Sequence, residues 1–273
     1  RVMTQRYLRH RKIRMLVCSF AVIIGASACW AGAVHKATLI KHNGGRAQGF
    51  VRYLPASKAF ELKAGAVTQS LQASEVAKVV LLEQPAQLQQ LVAAVKRGQY
   101  LAAIAPLKKI KDEYEMFGPD LIAAQYLAVA YLNSGKAAEA VRMCEELLRG
   151  NPTASKSGEF AGIYWDALLK EKKYATLRRI LEDAIQTGSR DIAAVALVKR
   201  GDMDMEKGES KKALLDGYLR TILAFQDIKT IQPEALYKAM KAHTAVNEHH
   251  YAEKWRKRLL SGYPNSDYAK KLK

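Results

Sequence analysis

Two rhythms of apolar residues divide the chain. Between residues 36 and 83 they come in short runs, "KATLI", "AQGFVRYL", "KAFELKA", "TQSLQA" and "KVVLLE", several alternating apolar and polar with a period of two. Alternation places one face of a strand on a core and the other on solvent, so each run predicts a β-strand. Asn43-Gly44-Gly45 lies between the first two and predicts a hairpin with positive φ at both central turn positions. Gly49 inside the second run predicts a bulge or sharp bend. Pro55-Ala56-Ser57-Lys58 and Ala64-Gly65-Ala66 mark two more turns, and Ser74-Glu75-Val76-Ala77 predicts one helical turn before the last strand. Short strands in such close succession predict a small barrel or roll over residues 34–83.

After Pro85 the spacing changes to that of amphipathic helices, and the pattern recurs. Residues 126 to 152, "YLAVAYLNSGKAAEAVRMCEELLRGNP", carry two apolar stripes separated by Gly135 and end at Pro152. With Pro152 as the terminal position, a unit begins at Leu121. Leu127, Ala128, Tyr131, Gly135, Ala140 and Leu147 then fill large, small, aromatic, turn, small and apolar positions. Weaker copies surround it. One has Gly98 at its turn and Ala103 at the small position. A second places Trp165 in its first helix and Tyr174 at the start of its second. A third has Gly201, Gly208 and Ala213 at the same spacing and then one extra residue, with Asp204 where an aromatic is expected. The last places Ala252 at the small position, puts Arg256 where an aromatic is expected, and ends at Pro264.

This pattern resembles the tetratricopeptide-repeat family, whose unit is about 34 residues long. The resemblance covers two-thirds of the chain, as about five degenerate units over residues 84–266 of a helical region spanning 84–273. It implies a mainly α fold: an α-solenoid of helix-turn-helix repeats in a right-handed superhelix, preceded by the β barrel or roll. The N-terminal strands are similar to SH3-like or Sm-like modules; the RNA binding of Sm relatives is not carried over. The ending "RLLSGYPNSDYAKKLK" resembles the last repeat of exported bacterial repeat proteins of the cell envelope. By family geometry the concave surface is lined by first helices, which assigns Gln125, Val129, Leu132 and Asn133, then Asp166 and Lys170, then Asp202, then Tyr237 and Lys241 to a partner-binding groove.

Charge and cysteine content add a location. Arg1, Arg6, Arg9, Arg11, Lys12 and Arg14 precede any acidic residue and lead into the apolar run "MLVCSFAVIIGASA". A basic stretch, a short apolar stretch and a small-residue site form an export signature over residues 1–33. Cleavage after Ala28 or Ala33 fits it, with Ala33 preferred, and so does lipidation at Cys29 or retention as a membrane anchor. Arg1 is not an initiator, and Met3 offers a start. The chain carries 44 Lys+Arg against 26 Asp+Glu, and a preponderance of cations persists without the first 33 residues. Cys144 would then be the lone cysteine, with no partner for an internal disulfide.

Catalytic constellations are missing from the sequence. There is no Gly-rich phosphate loop and no Gly-x-Ser-x-Gly, and Asp202, Asp204 and Glu206 alternate along one helix so that their side chains diverge. Glu248, His249, His250 and Glu253, with His243 as a third ligand, are the nearest approach to a metal site, and they lack His-Glu-x-x-His. The expectation is a non-enzymatic scaffold of the bacterial envelope or periplasm, without cofactor or metal and without nucleic acid, holding another envelope protein or peptide in its groove. The alternative is a module that binds an envelope polymer or anionic lipid through its basic surface, including Lys108, Lys109, Lys111 and the residues around Trp255.

Overall fold

The computed structural model describes residues 33–150 and 158–272. The predicted export segment up to Gly32, with Ala28 and Cys29, and Pro152 in the second helical unit lie outside the described residues. The alternating runs form β1 (His35–Lys41), β2 (Arg46–Leu54), β3 (Ala59–Ala64), β4 (Val67–Gln72) and β5 (Val76–Leu81), with a 3-10 turn over Ala73–Glu75. They pair antiparallel in the order β4-β3-β2-β1-β5. The outer strands β4 and β5 would be about 19 Å apart in a flat sheet. Only the 3-10 turn joins them, and it rises about 6 Å. The sheet therefore curls into a roll.

Two turn expectations are corrected. In the first hairpin Gly44 alone has positive φ, at 82°. The amide of Gly44 donates to the Lys41 carbonyl and that of Lys41 to the Gly45 carbonyl, so a turn through His42 and Asn43 precedes one left-handed residue. At Gly49 there is no bulge, because the β1–β2 register runs unbroken from His35↔Val51 to Ile40↔Arg46. A Cβ at Gly49 would lie 2.4 Å from the Lys63 carbonyl oxygen, so the glycine allows β2 to pass close under the end of β3. The register shift falls instead between Ile40 and Lys41, where β1 meets β5.

From Leu88 onward the chain is helical, as successive helix pairs that follow the β roll. Its pairs are α1 (Leu88–Lys96) with α2 (Tyr100–Glu113), α3 (Pro119–Asn133) with α4 (Ala137–Gly150), and α5 (Gly158–Lys170) with α6 (Tyr174–Thr187). In the fourth, α7 (Arg190–Glu206) faces α8 (Ser210–Lys212), a π-helical segment (Ala213–Tyr218) and α9 (Leu219–Ala224) in succession. The fifth joins α10 (Gln232–Ala245) to α11 (His249–Gly262), and α12 (Asp267–Lys270) follows.

Every pair turns on the same three-residue connection, whose middle residue is left-handed: Gly98, Gly135, Lys172, Gly208 and Asn247. In each, the amide after it donates to a carbonyl five residues back, as in Gln99 to Ala94 and Glu248 to His243. This Schellman cap satisfies carbonyls that a helix end leaves free. The caps lie 37, 37, 36 and 39 residues apart. The period is thus longer than the 34 expected from the family pattern, and the added residues sit in connections between pairs, such as 114–118 and 225–231. Five residues after each cap comes the small packing position: Ala103, Ala140, Ala213 and Ala252, all buried, with Leu177 in the third pair.

The extra residue of the fourth unit is absorbed by the π-helical segment. Gly217 there presses on Gly201 of α7, and a Cβ on Gly217 would lie 2.7 Å from the Gly201 Cα. The ring of Tyr218 covers Gly201, and Arg200 donates to the Asp216 carbonyl, one of those left over by the wider turn.

The β roll and the helices share a core. Ala37, Leu39, Val51, Phe60, Leu62 and Leu81 point inward, and Phe117 from the α2–α3 connection joins them at 4% exposure. Its ring meets His35 and Phe60 edge-on at 4.7 and 5.9 Å, while His35 stacks on Tyr114 at 4.1 Å.

Candidate functional site

The first helices of successive pairs lie side by side: α3 touches α5, α5 touches α7, and α7 touches α10. Second helices wedge between them from behind, as α4 does between α3 and α5. The residues on the free edge of this layer are therefore candidates for contact with a ligand.

Across α5, α7 and α10 that edge carries a ladder of charges. Lys199 of α7 donates to Asp166 of α5 at 2.6 Å and stands 3.8 Å from Asp202 one helical turn on. Asp202 accepts from Lys238 of α10 at 2.6 Å and from the Tyr218 hydroxyl at 2.9 Å. Lys238 also holds Glu234, which bonds the Tyr268 hydroxyl of α12. The π-helical segment places Tyr218 in this network, by turning its side chain toward α7.

Burial and pairing compete along the ladder. Burial pushes the Asp202 carboxyl above its ordinary value, against the pull of Lys238 and Lys199. For Lys238 burial works downward, but Asp202 and Glu234 outweigh it and hold the ammonium above its usual value. At Glu234 burial works upward and Lys238 overcomes it, so the carboxyl titrates below its usual range. Burial, then Asp202, drives the Tyr218 phenol far up, keeping it a neutral donor. These groups hold three helices in register, since a buried charge must keep its partner or lose several kcal/mol, about 3–5.

The structure places the sequence-assigned residues unevenly. Asp166 and Asp202 meet through Lys199 in the ladder. Val129 and Leu132 are half-buried against core clusters, and the Asn133 side chain donates to its own helix at the Val129 carbonyl, 2.9 Å. Gln125 is half-buried on α3, and Lys170 is exposed with no ion pair among the described residues. Tyr237 packs against Tyr268 at 5.5 Å, with Lys241 and Lys271 each 5.8 Å from its ring. Sequence reasoning missed Lys199, Tyr218, Glu234, Lys238 and Tyr268. The Glu234–Lys238 spacing of i, i+4 was a readable signal; the cross-helix pairs left none.

Asp204 and His243 each have partners on one side-chain atom, while Asp204 Oδ2 and His243 Nε2 are buried without a hydrogen bond among the described residues. Asp204 is fully buried, paired with Arg178 at 3.3 Å and near Lys212 at 3.9 Å, at the cap position that Tyr131 fills in the second pair. His243 is bonded to Glu248 at 2.7 Å and stacks on Tyr251. No group of three or more His, Cys, Asp or Glu is arranged to hold a metal among the described residues. Burial pushes the Cys144 thiol up to about 12, which makes it inert. Among the described residues no helix is long and apolar enough to cross a membrane.

No known protein-family description matches the chain, and no curated protein matches it. Among solved structures it is similar to MamA AMB-1 P212121 at 15% identity and a TM-score of 0.46, over 65% of this chain and 99% of that one. It is also similar to MamA AMB-1 C2221, at 16% and 0.42 over 64% and 95% of the two chains. A further match is MamA MSR-1 C2, at 14% and 0.43 over 64% and 94%.

Proposed function

We propose that the protein is a non-enzymatic scaffold of the bacterial cell envelope that binds a segment of another envelope protein along the first-helix layer. The observation that carries this reading is the layer itself: α3, α5, α7 and α10 run side by side, and the charge ladder holds three of them in fixed register. A rigid, preorganised surface loses little entropy on binding, which suits a scaffold. The basic, apolar N-terminal stretch supports the envelope location. Because Asp166 and Asp202 are committed to the ladder, the free contacts fall to Gln125, Lys170 and Lys241.

The test is capture of partners from a bacterial envelope extract by the full chain, followed by affinity measurement with the purified partner. Lys170→Glu with Lys241→Glu should weaken binding at least tenfold, about 1.4 kcal/mol, whereas Arg256→Glu with Arg258→Glu should leave it unchanged. The opposite pattern, with loss of binding at moderate salt, would replace this reading with recognition of an envelope polymer or anionic lipid through the surface where Lys254 and Arg258 flank Trp255.

A further inference from the structure

A second concave feature lies at the start of α3, where β5 and the α2–α3 connection meet α3 and α4. It is a cavity of about 680 Å³, within the range that small ligands and peptide side chains fill. Met116, Leu121, Met143 and Leu147 give it an apolar lining, and Met116 and Leu121 are 43% and 41% exposed. Methionines suit a surface that must adapt to a ligand.

The cavity is prebuilt. Asp120 accepts from the amides of Met116 and Gly118, both at 2.8 Å, which pins the connection. It holds Met116 at φ 68°, a left-handed conformation that costs a residue with a side chain about 1–2 kcal/mol. Lys111 bridges α2 to α4 by bonding Glu146 at 2.8 Å, with Asp112 at 3.3 Å. Such strain persists only where the surroundings impose it, and here it sends an apolar side chain into the cavity wall.

Charge selects the occupant. Among the described residues, Asp112, Glu115, Asp120 and Glu146 line the cavity with a single cation, Lys111, on a chain whose formal net charge is +18. Asp120 is spent on backbone amides and Lys111 on its two carboxylates, while Glu115 is exposed with no ion-pair partner among the described residues. We propose that this cavity is a second binding site, for a short peptide whose apolar side chains fill it and whose basic side chains meet its acidic rim. A small cation alone would gain little at so open a rim, since exposed charge pairs contribute about 0–1 kcal/mol each. Apolar and basic groups on one chain combine both gains. The site shares only the first turns of α3 with the first-helix layer, and it does not depend on the partner proposed for that layer.

The experiment uses the full chain with a fluorescent hexapeptide alternating lysine and leucine, a glutamate–leucine counterpart, and anisotropy as the readout. The lysine peptide should bind saturably and at least tenfold more tightly than the glutamate peptide. Glu115→Lys and Leu121→Asp, both at exposed positions, should each weaken it about tenfold while leaving the thermal midpoint within a few degrees. Lys170→Glu with Lys241→Glu should not change it. Equal binding of the two peptides overturns the proposal, as does unchanged affinity in Glu115→Lys or Leu121→Asp. A loss in the Lys170/Lys241 variant would move the peptide to the first-helix layer and overturn it equally.

Discussion

Phe117 should be the most deeply buried side chain of the connection that couples the β roll to the helices. It comes from the α2–α3 connection, is 4% exposed, and sits in the same cluster as Leu39, Val51 and Phe60 of the strands. Removing its ring by Phe117→Ala forfeits about 1.5–3 kcal/mol of transfer free energy. Two edge-on ring contacts, with His35 and Phe60, add about 0.5–1.5 kcal/mol each. With incomplete collapse of the void, the total falls at about 3–5 kcal/mol, the usual cost of such a truncation. For a body of this size, 1 kcal/mol corresponds to roughly 2–4 °C in melting temperature, so a drop of about 6–20 °C is expected. Two local probes separate local from global loss. Trp165 and Trp255 report the third and fifth helix pairs by fluorescence, and hydrogen exchange reports the amides of β1, β2 and β3. In the parent chain both should report one transition. In Phe117→Ala the strand amides should exchange well before the tryptophans become exposed. A melting temperature within about 1 °C of the parent would refute the shared core.

Gly217→Ala should destabilise by about 1–3 kcal/mol in denaturant titration, because its Cβ would meet backbone atoms of Gly201 at 2.7 and 2.8 Å, and backbone cannot step aside. Lys172→Gly should stabilise by about 0.5–1 kcal/mol, since Lys172 holds φ 55° at a cap where three other pairs use glycine. Lys238→Met should cost about 3–5 kcal/mol at neutral pH by leaving Asp202 and Glu234 without their shared cation. The raised Lys238 value sets the direction of a pH effect: its contribution is complete below the ordinary lysine value of 10.5 and fades as pH rises through the folded value. The parent should therefore lose stability at alkaline pH more steeply than Lys238→Met, and parallel curves would contradict the pairing.

Local rules made much of the fold readable. The strands over residues 36–83 follow from alternation, and the switch to helices between Leu81 and Leu88 follows from the change of period. Gly98, Gly135 and Gly208 announced their caps because only glycine adopts positive φ without cost. Lys172 and Asn247 did the same geometric task unannounced, because the cap's hydrogen bonds and the packing of the pair outweigh their strain. Even the extra residue of the fourth unit was countable, though not that a π-helical segment would absorb it.

The candidate site was less legible. Asp166 and Asp202 could be placed on first helices from the family resemblance, but not the ions between which they stand. Lys199 and Asp166 are 33 residues apart and Lys238 and Asp202 36, so nothing local marks them as partners. Phe117 in sequence is one apolar residue in a connection, and only the curled sheet supplies the pocket that buries it. Periodicity and turn chemistry act over a few residues, and so the chain by itself determined its strands, its helices and most of its caps. Which charges neutralise each other, and which loop closes the β roll, depend on how far apart the packed helices and sheet come to rest, and that only the tertiary structure decided.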